Sequence, residues 1–329
     1  MMRANKCVFN IDKLKLCYRQ PAELWDYIQN FNTNDFIYYD CFKLHIIDDG
    51  RGKEVNDKPR TKIKCNVILN ENNLLLGKFE FNNSAKYAGK CFFEFDNKAL
   101  YSVAGYNFGK KYNHLINIDY IEQQLHLTKN NITNIEVACD VNFNVIHVIQ
   151  SLIKNYKDYT LYINGNIIKD EARKIENYGE YFTRSRKKRE RYPTIYLSQK
   201  KEDSPTLKIY NKQIEIQEES AKTYIQKWNE NNSTMYRIEV SVKNDDFKRF
   251  MQIVGEQNDF YGDIEGVSLH LSTEEYIYTL WQYITNRMLY FRPKTTDEII
   301  TLTDICTKQY QIKKTKRSKD YNQVPFEIA

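Results

Sequence analysis

The sequence predicts an α+β fold built on a mostly antiparallel central sheet with flanking helices. Three observations predict it. Segments rich in β-branched and aromatic residues at near-alternating spacing crowd the N-terminal third. Strand-like and helix-like segments then interleave without the regular spacing of βαβ units. The chain of 329 residues is 41% apolar and 28% charged with only 11 Gly and 6 Pro, which suits a filled core and excludes disorder, collagen-like repeats and long flexible linkers. There is no internal repeat.

Taken in order, residues 7–18 (CVFNIDKLKLCY) and 36–47 (FIYYDCFKLHII) read as strands. Residues 62–69 and 74–81 flank an Asn-rich turn and form a hairpin, and residues 90–95 (KCFFEF) continue the strand-rich region. Residues 114–127 carry an imperfect helical stripe of Leu115, Ile118, Ile121 and Leu125. A strand at 133–141 precedes a helix at 144–156, marked by Val145, Val148, Ile149 and Leu152. Further strands follow at 159–163, 193–198, 206–211 and 235–242. Residues 273–291 predict one long helix in which Tyr276, Tyr283 and Tyr290 recur every seventh position as a packing stripe. A modest helix at 296–303 and a basic tail close the chain. The expected organisation is a strand-rich subdomain over 1–110, continuous with a core over 111–292, then the basic segment 293–329.

Several function classes are excluded. No stretch approaches the roughly 18 apolar residues of a membrane span, and the first residues lack a signal-peptide core. Seven scattered cysteines without a C-x-x-C pair point to reduced thiols and a cytoplasmic setting. His45, His114, His126, His147 and His270 are far apart, so no paired-His metal motif exists. The phosphate-binding, dinucleotide, serine-hydrolase and zinc-protease signatures are all missing.

Charge supplies the first positive clue. The net charge is +6, and the excess is concentrated in two runs, RSRKKRER at 184–191 and KQYQIKKTKRSK at 308–319. Basic runs of this kind serve either as solvated surface or as phosphate-binding segments. With 26 Tyr available to stack on unpaired bases, nucleic acid is the leading partner.

Three strand segments carry polar groups on one side. Glu136, Ala138 and Asp140 alternate with Val137, Cys139 and Val141, and Arg237, Glu239 and Ser241 alternate with Ile238, Val240 and Val242. Lys208, Tyr210 and Lys212 lie opposite Leu207 and Ile209. If these strands are neighbours, acids, Arg, Lys and one Tyr share a face. A plain solvent-facing side of an amphipathic sheet would give the same pattern.

The ordered set IEVACDVN (135–142), TIYLSQK (194–200), TLKIYNKQIE (206–215) and YRIEVSVK (236–243) resembles the replication initiation factor family of rolling-circle plasmids and phages. That family is similar in turn to the nicking proteins of filamentous phages. YNKQIE followed by RIE is the most specific part. Two positions depart from the family pattern: Ser198 stands where Gly is usual, and the first acid of the "R-x-D" strand is Glu136 with no Arg before it.

The resemblance implies a metal-dependent, origin-specific DNA nicking and closing enzyme. Tyr210 would be the nucleophile, forming a 5′-phosphotyrosine link and freeing a 3′-hydroxyl primer, with Tyr196 as the runner-up. Asp140 and Glu239 would be the main ligands of Mg²⁺ or Mn²⁺, with Glu136 and Glu215 as further candidates. Glu136 and Asp140 are four residues apart on a strand, roughly 13 Å, so without a bulge both do not hold one ion. Lys212 and Arg237 would contact the scissile phosphate or orient an acid. Arg184, Arg186, Lys187, Lys188, Arg189 and Arg191 would grip DNA beside the nick. The partners implied are single-stranded or cruciform origin DNA and a host helicase, with the oligomeric state left open. A mobilisation relaxase would share this chemistry, and a non-catalytic nucleic-acid-binding protein would use Tyr210 only for packing or stacking.

Overall fold

The computed structural model describes residues 7–39, 41–50, 62–70, 73–82, 84, 86–101, 118–169, 183–184, 194–198, 205–228, 234–257, 267–271 and 273–307. The elements in chain order begin with β1 (Cys7–Arg19), α1 (Ala22–Ile28), β2 (Phe36–Tyr39), β3 (Phe42–Asp48), β4 (Lys62–Leu69), β5 (Leu74–Asn82) and β6 (Lys90–Phe95). Next come α2 (Asn97–Tyr101), α3 (Ile118–Gln124), β7 (Thr128–Val141), α4 (Val145–Lys154), β8 (Tyr159–Ile163), β9 (Asn166–Ile168), β10 (Thr183–Arg184), β11 (Ile195–Ser198) and β12 (Thr206–Asn211). The remainder is α5 (Lys212–Glu215) with a π turn at Ile216–Ser220, α6 (Thr223–Trp228), β13 (Tyr236–Lys243), α7 (Asn244–Gln257), α8 (Val267–His270), α9 (Glu274–Met288), β14 (Leu289–Pro293), β15 (Ile300–Thr301) and α10 (Leu302–Thr307).

The predicted α+β class holds. Eleven strands form one sheet in the order β10-β11-β12-β13-β7-β1-β6-β5-β4-β3-β2, and four form a second in the order β15-β14-β8-β9. From β1 through β6, β5, β4 and β3 to β2 the neighbours run antiparallel, as do β10, β11 and β12. Contacts group the chain into two units. One comprises residues 1–9, 138–240 and 278–329, and the other 10–137 and 241–277.

In the second unit the alternating pattern of β3 to β6 buries Phe42, Leu44, Ile63, Cys65, Val67, Phe79, Phe81, Cys91 and Phe93 on one side. Gly77 is required there, because a Cβ would sit 2.4 Å from the Glu94 carbonyl oxygen. In the first unit α4 buries Val145, Val148, Ile149 and Leu152, and the Asn144 side chain caps it by accepting the His147 N–H at 3.1 Å.

The segment 273–291 is not one helix. α9 ends at Met288, and β14 then pairs with β8, placing Tyr290 opposite Tyr162 with the rings stacked at 4.6 Å. Cross-strand pairing thus overrides the seven-residue stripe, of which Tyr276 is fully buried. The helix expected at 296–303 instead starts at Leu302, where Thr301 and Asp304 form a reciprocal cap. The helix expected over 114–127 spans Ile118–Gln124, and residues 114–117 lie outside the described residues. Residues 36–47 fold as two strands, β2 and β3, rather than one.

A buried carboxylate organises the second unit. Glu122 accepts hydrogen bonds from Tyr18 Oη at 2.8 Å and Ser268 Oγ at 2.9 Å, and pairs with Lys129 Nζ at 3.3 Å. Burial raises its pKa above the usual 4.5, against the opposing pull of Lys129 and the hydrogen bonds. The folded state therefore holds a proton that the unfolded state releases, so this contribution is complete below pH 4.5 and is lost as pH rises through the folded-state value. Glu122→Gln, which fixes the neutral form, is expected to gain stability relative to the unmodified protein as pH rises from about 4.5 to 8. Urea midpoints at several pH values check this, and parallel curves would refute it.

Candidate functional site

The predicted shared face is real. Strands β12, β13 and β7 are neighbours in that order, so their polar alternates meet. β12 delivers Lys208 and Tyr210, and then stops because Asn211 Oδ1 accepts the Ile214 N–H at 3.0 Å and starts α5. Gln213 N–H donates to the Met235 carbonyl at 3.0 Å, pinning that turn beside the start of β13.

Glu239 on β13 is the hub. Its carboxylate is 6% exposed and accepts Tyr210 Oη at 2.9 Å on one oxygen and Lys208 Nζ at 2.9 Å on the other. The phenol is half-buried. A phenol donating to a carboxylate has a proton acceptor in place, and the lysine orients that acceptor. Tyr196 on β11 pairs across the strands with Lys208 and is also half-buried.

Two further ion pairs frame the hub. Arg237 donates through Nε and Nη2 to the two oxygens of Asp140 at 2.6 and 2.7 Å, and both side chains are almost wholly buried. This fork-to-fork pair satisfies both carboxylate oxygens with one planar group. Lys212, 2% exposed, pairs with Glu215 at 2.6 Å, and its ammonium lies 5.6 Å from the Tyr210 ring centroid.

One group of three carboxylates among the described residues fits a divalent cation. Asp12 on β1, Glu136 on β7 and Glu239 on β13 each place an oxygen within 4.8 Å of the others. The three strands are successive neighbours in the sheet. An all-oxygen, anionic donor set suits a hard ion such as Mg²⁺ or Mn²⁺ and is a poor set for softer metals. Asp12 is further held by Tyr101 Oη, which donates at 2.9 Å.

Of the acids expected to bind metal, Glu136 and Glu239 are brought together. Asp140 is committed to Arg237 and Glu215 to Lys212, and neither joins the triad. The third member, Asp12, was not anticipated. Its signal is a lone acid inside the apolar strand CVFNIDKLKLCY, which means little until β1 is known to lie beside β7. Of the basic run at 184–191, Arg184 ends β10 through its backbone pairing with Ile195, while Arg186, Lys187, Lys188, Arg189 and Arg191 lie outside the described residues. The basic run at 308–319 also lies outside them. Among the described residues no helix is long and apolar enough to cross a membrane.

No family model matches the sequence, and no curated protein matches it. Among solved structures, a rolling circle replication initiator protein from Geobacillus stearothermophilus is similar over 77% of this chain and 80% of its own, at 13% identity and a TM-score of 0.38. Overlap that loose does not establish a shared fold, so the weight falls on the residues of the site.

Proposed function

We propose that this protein is a rolling-circle replication initiator that nicks and rejoins one DNA strand through Tyr210. The observation that carries the reading is the Tyr210 phenol hydrogen-bonded to Glu239, a carboxylate that also belongs to the acidic triad. It joins the family-like motif order to a geometry in which nucleophile, base and metal-ligating acids converge.

In the nicking step Glu239 takes the phenolic proton, and the Tyr210 oxygen bonds to phosphorus. The bond from phosphorus to the 3′ oxygen breaks, and that oxygen takes a proton from water to become the 3′-hydroxyl. A phenol ionises at about pH 10, so an adjacent base is needed for attack at neutral pH. Asp12, Glu136 and Glu239 would hold the divalent ion, which supplies charge stabilisation for the phosphoryl transition state. Lys208 holds Glu239 in place, and its exposed side chain (37%) offers a cation to phosphate. Arg237, two positions from Glu239 on β13, acts as a positioning residue that fixes Asp140 on the neighbouring strand β7. Lys212 fixes Glu215 and sets a positive charge beside the nucleophilic ring. Basic segments at 184–191 and 308–319 add phosphate contacts.

The test is a supercoiled plasmid carrying the protein's own replication origin, incubated with Mg²⁺ or Mn²⁺. Open circles with protein attached at a 5′ end, mapped to the Tyr210 peptide by mass spectrometry, are expected. Neither nick nor adduct with either ion would overturn the reading.

The triad makes a separate prediction. Titration calorimetry with Mn²⁺ is expected to show one site, weakened about tenfold or more in Glu136→Gln and in Asp12→Asn. Asp140→Asn would weaken it far less, because Asp140 lies outside the triad. Unchanged binding in the first two variants would remove the triad as the metal site.

A further inference from the structure

The strand face opposite the core of β2 to β6 has features that the nicking site does not use. Phe36 and Tyr38 on edge strand β2 are 50% and 72% exposed, unusual for large aromatic side chains. They occupy alternate positions and so point to the same side, about 6.6 Å apart along the strand. Their cross-strand partners are His45 and Lys43. Phe36 stacks on His45 with ring centroids 4.4 Å apart and planes 13° from parallel, and Lys43 Nζ lies 5.3 Å from the Phe36 centroid. Lys43 is steadied by Asn73 Oδ1 at 3.1 Å. The Phe36 ring is therefore preset, which lowers the ordering cost of a stacking partner.

The charge on the same face is complementary to a polyanion. One cross-strand row runs from Phe36 through His45 and Asn66 to Lys78, Glu94 and Lys15. The acids on the face already carry lysines: Glu94 has Lys13 and Lys15, Glu80 has Lys62, and Asp48 has Lys64. Among the described residues Lys43, Lys78 and Lys90 add further positive charge to the face, and the last two are exposed. A second aromatic pair, Phe92 and Tyr87, lies farther along, with Lys15 and Lys86 over the respective rings.

Exposed aromatics two apart on a strand, flanked by lysines on a sheet face, form the arrangement by which proteins hold unpaired bases. Rings take the bases and cations take the phosphates, whereas duplex DNA hides its base faces from such a surface. We propose that the outer face of β2 and β3, extending to Lys78, is a binding platform for single-stranded DNA, with bases stacked on Phe36 and Tyr38. The inference deepens the proposed function by adding a second hold on the strand, and it rests on that reading for DNA as the polymer.

The test uses the full chain carrying Tyr210→Phe, so that binding is read without cleavage. The probe is a fluorescent 20-nucleotide oligo-dT, followed by anisotropy. Adding Phe36→Ala and Tyr38→Ala is expected to weaken binding about 30-fold, while Phe36→Trp with Tyr38→Trp keeps it. Lys43→Gln with Lys78→Gln is expected to reduce the slope of log affinity against log salt by about 1.4, two contacts at about 0.7 each. Equal affinity in the alanine variant overturns the platform, as does equally tight binding of a 20-base-pair duplex. A change in self-association by sedimentation, with oligo-dT binding intact, assigns the face to a second copy of the chain and also overturns it. If the origin plasmid is never nicked while the alanine pair still loses oligo-dT, the platform stands and only the catalytic reading falls.

Discussion

Tyr210→Phe is expected to remove origin nicking and the covalent DNA adduct, lowering the rate by at least about a thousand-fold. The substitution deletes one oxygen and leaves the ring, so the cation contact from Lys212 is kept. It removes the donation to Glu239, a net change of about 1 kcal/mol in stability. Thermal unfolding should accordingly stay close to that of the unmodified protein, so that loss of nicking reports chemistry and not folding. Tyr196→Phe is the matched control, since Tyr196 sits across from Lys208 on the adjacent strand. If Tyr196→Phe loses the adduct while Tyr210→Phe retains it, the two tyrosines exchange roles and the phenol at Glu239 becomes a positioning group.

Asp140→Ala is expected to be the most destabilising single change at the site, at about 3–5 kcal/mol. Arg237 is fully buried, and its guanidinium has Asp140 on both Nε and Nη2. Without the carboxylate a charge is left deep in the sheet, where water reaches it poorly. The double variant Asp140→Leu with Arg237→Met removes both charges at similar volume and should recover most of the loss, as a chemical denaturation series would show. Arg237→Met alone leaves the buried carboxylate without its guanidinium, and should fall with Asp140→Ala. A small cost for either single change would mean that solvent enters the pair.

The local pattern of the chain carries much of this architecture. Alternation in β4, β5, β12 and β13 placed those strands within a residue or two of their observed bounds, because burial on one face imposes a period of two that side-chain chemistry reveals. Helix α7 carried an equally plain signal in Phe247, Phe250, Met251 and Val254, which are all buried at helical spacing, though it did not figure among the expected elements. Where local pattern and pairing compete, pairing prevails. Residues 289–291 look helical in isolation, yet β8 offers a ladder of backbone hydrogen bonds and a Tyr162 ring for Tyr290.

For the site, alternation alone determined that Glu136 and Asp140 share a side of one strand, and that Arg237 and Glu239 share a side of another. Which acid meets which base was decided by strand order. Asp140 and Arg237 are 97 positions apart and Lys208 and Glu239 are 31 apart, and no local rule links residues at such separations. Strand order also recruited Asp12 from the first strand of the chain and left Asp140 and Glu215 neutralised by Arg237 and Lys212. Side-chain type and period are local properties, set by each residue and its neighbours. The proximity of three carboxylates is a property of a sheet whose strands are each about a hundred residues apart in sequence, so it exists only in the folded chain.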